Sequence, residues 1–156
     1  MRKIACLLIV LLTLSGAASC GDVPSAAALM REFCTEYGID AAVYSPEVSE
    51  GESGYVYDGF LETLYGDISG GVSDFAIILR SDGMETRECA VFIAYSESDA
   101  LLIADACYER LELIRTVTLG DAPYLDDAFV QRRGDTVVMC ALSDNTLAHV
   151  LWKSIL

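Results

Sequence analysis

The sequence predicts an α+β fold, a two-layer sandwich in which a four-stranded antiparallel sheet carries helices on one face. Three observations predict it. Residues 74–118 read as strand, tight turn, strand and capped helix. Residues 128–155 repeat that order. The two segments that precede helices, 86–95 and 136–142, are the most apolar of the domain, which suits strands at the centre of a sheet.

Taken in order, the chain begins with Arg2 and Lys3, an apolar run over residues 4–14, and small residues from Ser15 to Ser19 before Cys20. Basic, apolar and small segments in that order predict a secretory signal over residues 1–19. The apolar run is shorter than the roughly 20 residues that a bilayer span needs. Ala17-Ala18-Ser19-Cys20 resembles the lipobox of bacterial lipoproteins. The resemblance implies a diacylglycerol on the Cys20 sulfur and cleavage that leaves Cys20 as the first residue. Ala17 stands where leucine is commonest, so cleavage without lipidation, releasing a secreted protein, stays open. Two acyl chains give stable membrane attachment, whereas one is marginal. Residues 20–24 are then the lipidated cysteine and a short tether, and 25–156 a single α+β domain. Gly21 to Pro24 reach about 14 Å at most, which sets the domain at the outer face of the cell membrane.

Ser25 caps a helix expected to run to Tyr37, with Leu29, Met30, Phe33 and Tyr37 on one face and Gly38 as the stop. Residues 39–45 read as extended. Residues 47–58 form an acidic loop with Gly and Ser, and Tyr55 and Tyr57 make it a candidate binding surface. Residues 59–65 suit a short helix. Residues 74–80 and 86–95 are strands joined by Ser81-Asp82-Gly83-Met84, whose Asp-Gly pair signals a hairpin. Ser96 caps the next helix, with Asp99 three residues on. Its buried stripe is Ala100, Ala104, Cys107, Leu111 and Ile114. Pro123 marks a turn over 120–124. Residues 128–132 and 136–142 form a second hairpin around Arg133-Gly134, and a terminal helix covers 146–155. Arg133-Gly134-Asp135 resembles an integrin-binding tripeptide, but a hairpin tip accounts for it.

The order ββαββα can be drawn as a circularly permuted ferredoxin-like arrangement with extra N-terminal helices. Right-handed crossovers would then set 86–95 beside 136–142 at the sheet centre. The segments AVFIAYSESDA and VVMCALSDNTL align loosely at the strand-to-helix step, a faint internal repeat.

Charge narrows the function. The chain has 10 Lys+Arg against 24 Asp+Glu, a formal −14, and Arg2 and Lys3 leave with the signal. So acidic a domain disfavours nucleic acid and anionic lipid as electrostatic partners. It suits solubility, a cationic partner or Ca²⁺. Neither Glu47-Glu50-Glu52 nor Asp121-Asp126-Asp127 has EF-hand spacing. Scattered cysteines and one histidine make no zinc site, and no glycine-rich phosphate loop is present. No cofactor is implied.

Cys34, Cys89, Cys107 and Cys140 form no CxxC pair. Their apolar neighbours favour buried free thiols. An exported domain could oxidise them, and neighbouring central strands make Cys89 and Cys140 the pair that would link. His149 is the single histidine, and no GxSxG elbow accompanies any serine.

The segments DFAIIL, ECAVFIAYSESDALLIADACYERLELI and QRRGDTVVMCALSDN, together with the lipoprotein signal, resemble a family of small lipoproteins of anaerobic Gram-positive bacteria, catalogued as a domain of unknown function. The resemblance covers about residues 24–150. It implies a place near membrane acyltransferase systems that act on surface polysaccharide, and so a membrane-protein partner of the envelope. It carries no catalytic residues. The leading expectation is a non-enzymatic accessory or binding domain. Two alternatives stay open: an envelope-modifying enzyme, hydrolase or acyl-transfer accessory, using Ser or Cys with His149, and a small-ligand-binding module near Tyr55 and Tyr57. The working surface is expected in the 47–58 loop or on an uncovered sheet face.

Overall fold

The structure, a computed structural model, describes residues 24–82, 85–118 and 122–156. The signal segment, Cys20, the tip of the first hairpin at Gly83-Met84, and Asp121 lie outside the described residues. Among the described residues four α-helices and five strands follow in the order α1 (Ala26–Tyr37), β1 (Val43–Tyr44), α2 (Phe60–Tyr65), β2 (Val72–Asp82), β3 (Glu85–Ala94), α3 (Glu97–Val117), β4 (Phe129–Arg133), β5 (Thr136–Ala141) and α4 (Asn145–Ile155).

Local chemistry sets the helix ends. The Ser25 side chain accepts from the Ala28 N–H, and Gly38, at φ 76°, returns its own N–H to the Cys34 carbonyl. Ser96 Oγ accepts from the Asp99 N–H at 3.2 Å and donates to Asp99 Oδ2 at 2.5 Å, a variant of the expected capping box. Asp144 caps α4 by accepting from the Leu147 N–H at 2.8 Å.

The strands pair antiparallel throughout, in the order β1-β2-β3-β5-β4. The two most apolar segments are neighbours at the centre, as expected. The sheet has five strands rather than four, because Val43 and Tyr44 pair with Ile78 and Ile77 at one edge. Two residues are too few to show an alternating pattern in the sequence.

The two-layer expectation is corrected as well. Along β3, Ala90, Phe92 and Ala94 pack with α2 and α3, while Cys89 and Val91 pack with α1 and α4. Both sheet faces are covered, giving a helix–sheet–helix sandwich with two cores, and no sheet face is left to serve as a working surface. The ferredoxin-like drawing needs its helices on one face. Here α3 lies on one side, and Ala148 and Trp152 of α4 lie in the core on the other. The faint repeat ends at the same step. Ser96 follows β3 by two residues, whereas the α4 cap Asp144 follows β5 by three. Side chains alternate between faces along a strand, so a change of one residue in the connection changes the side from which the helix departs.

The α1–α4 layer is knitted by Phe33 and Trp152, whose rings stack with centroids 4.8 Å apart. Tyr37 Oη accepts from the Asp144 N–H at 2.8 Å. The acidic loop after β1 is pinned where Gly54 approaches the β1 backbone. Gly54 has φ 95°, and a Cβ there would run into the Val43 carbonyl. Gly54→Ala is therefore expected to cost about 2–4 kcal/mol, combining left-handed strain with overpacking. A lowered urea midpoint with unchanged slope checks this.

Candidate functional site

Gly59, at φ 84°, turns the chain into α2, and the Phe60 N–H bonds back to the Tyr57 carbonyl at 3.0 Å. This turn lifts Tyr57 into solvent, where it is 53% exposed, and drives Phe60 beneath it. Tyr57 meets Phe60 edge to face at 5.6 Å, and Phe60 stacks between Tyr44 at 5.5 Å and Phe75 at 6.4 Å. A cleft of about 300 Å³ opens here, with Tyr57 on its wall, Phe60 and Phe75 on its floor, and Asp58 and Glu62 at its edge. Aromatic faces beside carboxylates attract cationic groups, through the ring quadrupole and through charge. Tyr55 is exposed on the same loop but does not line the cleft. Thus the structure brings one of the two expected tyrosines to a concavity and leaves the other outside it.

The aromatic chain continues inward. Phe75 stacks on Phe92 at 6.5 Å, and Phe92 meets Tyr65 at 5.0 Å. Tyr65 Oη donates a short hydrogen bond to Glu88 Oε1, on the same face of β3 as Phe92. Glu88 is fully buried. Arg110 of α3 neutralises it, with Nη2 at 2.7 Å and Nε at 3.1 Å from Oε2. Burial opposes the Arg110 charge, but hydrogen bonding and attraction from Glu88 outweigh it and hold the pKa above its ordinary value. Burial, and then the Glu88 charge, push Tyr65 well above the ordinary tyrosine range. The same two causes raise Cys107. The cluster is a closed set of partners. It fixes α2 and α3 to the sheet, and Tyr65 and Arg110 border a separate concavity of about 260 Å³.

This cluster and the cleft floor were not singled out in the sequence. Glu88 did leave a signal: one carboxylate beside an apolar strand segment demands a partner once buried. Nothing local pointed to Arg110, which lies 22 residues on.

The other expected residues fall as follows. His149 is half-buried, its ring 4.9 Å from that of Phe129, and no hydrogen bond among the described residues joins it to a serine or cysteine. Cys34, Cys89, Cys107 and Cys140 are buried free thiols. Cys107 lies in the α2–α3 core, and the other three share the α1–α4 core. Burial, and then Cys89, raise Cys34 to about 11. Burial, and then its hydrogen bond to Cys89, which the protonated thiol donates, push Cys140 well up. Among the described residues no three His, Cys, Asp or Glu side chains are grouped to hold a metal ion. Among them, too, no helix is long and apolar enough to cross a membrane. Two further concavities, of about 410 and 400 Å³, flank the C-terminal end of α1, one bordered by Arg31 and Cys34, the other by Tyr37, Arg80 and Arg87.

No family model matches the chain, and no curated protein or solved structure matches it either.

Two outcomes follow from the buried groups. Arg110→Met should cost about 3–5 kcal/mol, since it strands a buried carboxylate. Pairing it with Glu88→Leu should restore most of that loss, and urea denaturation of the single and double variants reads both. Cys34, Cys107, Cys140 and Tyr65 hold their protons more tightly folded than unfolded. Above about pH 8.5 the unfolded chain therefore gives up protons first. The contribution of these groups to stability should be level below that pH and fall as pH rises towards 11, where Cys34 titrates when folded. Melting temperatures across this range, with a shallower fall in Cys34→Ala, check it.

Proposed function

We propose that the protein is a lipid-anchored, extracytoplasmic binding domain, an accessory that acts on a membrane-protein partner of the envelope rather than by catalysis. Anchoring rests on the basic, apolar and small segments ahead of Cys20. The observation that carries the binding reading is the placement of the cleft. Asp74 Oδ2 accepts from the Ala26 N–H at 2.7 Å and so ties the first turn of α1, where the tether joins the domain, to β2. The next residue, Phe75, points to the opposite face and floors the cleft. The fastening of α1 and the cleft are thus one residue apart on one strand, and a tether of four residues would keep the cleft near the bilayer surface. The partner presents a cationic side chain to Tyr57, Asp58 and Glu62. This fits the envelope-protein partner that the lipoprotein resemblance implies.

A photo-crosslinking residue at position 57 in the lipidated protein, followed by purification from its own membranes, tests the reading. The expected result is one dominant membrane-protein adduct, reduced at least fivefold by Asp58→Asn with Glu62→Gln. Cys20→Ala should release the protein into the medium and abolish the adduct. An adduct that persists unchanged in the soluble variant, or none in the anchored one, would overturn the proposal. A dissociable small molecule in place of a protein adduct would favour the ligand-binding alternative at the same cleft.

A further inference from the structure

Three of the four buried thiols share one core, and two of them face each other. Cys89 of β3 and Cys140 of β5 are direct partners in the register. The phase of that ladder follows from its end, where the Ala94 N–H bonds to the Asp135 carbonyl at 2.9 Å. Antiparallel pairs alternate between hydrogen-bonded and non-hydrogen-bonded. Counting back from Ala94, Ala90 and Met139 form a hydrogen-bonded pair, and Cys89 and Cys140 fall in a non-hydrogen-bonded one. In such pairs the Cα atoms stand about 4.5 Å apart and the side chains approach most closely. That separation lies within the window of about 4.4–6.8 Å found for disulfides. Both side chains point into the α1–α4 core, and both are fully buried. Cys107 is on the other side of the sheet. Cys34 approaches from α1, at the border of a surface cavity.

We propose that Cys89 and Cys140 close into a cross-strand disulfide when the chain folds in an oxidising compartment, joining the two central strands. The oxidant is an external disulfide, that of a dithiol oxidoreductase or of glutathione. One protein thiolate attacks it, forming a mixed disulfide and releasing one external thiolate. The second protein thiolate then attacks the mixed bond and releases the other. Two protein thiols are oxidised, one external disulfide is reduced to two thiols, and the two protons lost by the cysteines pass to the leaving thiolates. In the finished fold both sulfurs are out of reach of an external disulfide, and burial keeps the Cys140 thiol protonated. Exchange therefore belongs to folding, before β3 and β5 meet. Cys34 and Cys107 remain thiols. The compartment rests on the exported location proposed above, whereas the pairing rests on the register alone.

The test compares two routes. Reduced, unfolded full-length chain is refolded in a glutathione redox buffer, and native reduced chain is held in the same buffer. Both are alkylated and mapped as non-reduced peptides. The refolded chain should yield a Cys89–Cys140 crosslinked peptide in most molecules, with the native chain at least tenfold slower to form it. Refolded oxidised protein should melt about 10 °C above its reduced form. A Cys34→Ala/Cys107→Ala variant should crosslink equally well. Free Cys89 and Cys140 after refolding, or Cys34 as the principal partner of either, would overturn the pairing. A chain that links on refolding but is recovered reduced from its own cells would uphold the pairing and overturn the exported location.

Discussion

Burial of β3 on both faces is the constraint on which the rest of this structure depends. The strand has hydrogen-bonded neighbours along both edges and a helical layer above and below it. Every side chain from Glu88 to Phe92 therefore has to suit a closed interior, whichever way it points. The alternation of small and large residues does this: Ala90 and Phe92 fill one core, Cys89 and Val91 the other. Two cores sharing one sheet also explain why so short a chain needs four helices. One helix pair can cover only one face, and an uncovered face of Val, Ile and Cys would be a large apolar patch.

The same constraint decides what the polar groups inside can do. A carboxylate taken fully out of water must be paired or neutral, and Glu88 is paired twice, by Arg110 and by Tyr65. Tyr65 is in turn held by Phe92, the aromatic link to the cleft floor. The polar cluster thus acts as a fastening for α2 and α3, and its geometry passes to the surface through packed rings. Cys34, Cys107 and Cys140 are held protonated by burial, which removes them from nucleophilic chemistry at neutral pH. What remains available to a partner includes the acidic exterior and the concavity that Tyr57, Phe60 and Phe75 line.

Position on the sheet gives that concavity its significance. Asp74 and Phe75 point to opposite faces because a strand alternates, so the fastening of α1 and the floor of the cleft share one stretch of backbone. The acidic loop is placed by a different device, the close approach of Gly54 to β1.

The local features were legible in the sequence. Ser25 and Ser96 cap the helices they were expected to cap, Gly38 ends α1, the stripe from Ala100 to Ile114 faces the core, and the two apolar strands lie side by side. Each follows from contacts within a few residues or from a period that the sequence displays directly. Tertiary structure alone decided the number of layers, the fifth strand, the partner of Glu88 and the cleft. An apolar run such as residues 89–94 reads the same whether one face is covered or two, and only the placement of α1 and α4 tells which. Tyr57, Phe60 and Phe75 are spread over a stretch that includes a loop, a helix and a strand, and Cys89 meets Cys140 only through the register of β3 against β5. Such meetings depend on packing between distant segments, for which a single sequence carries no periodic trace.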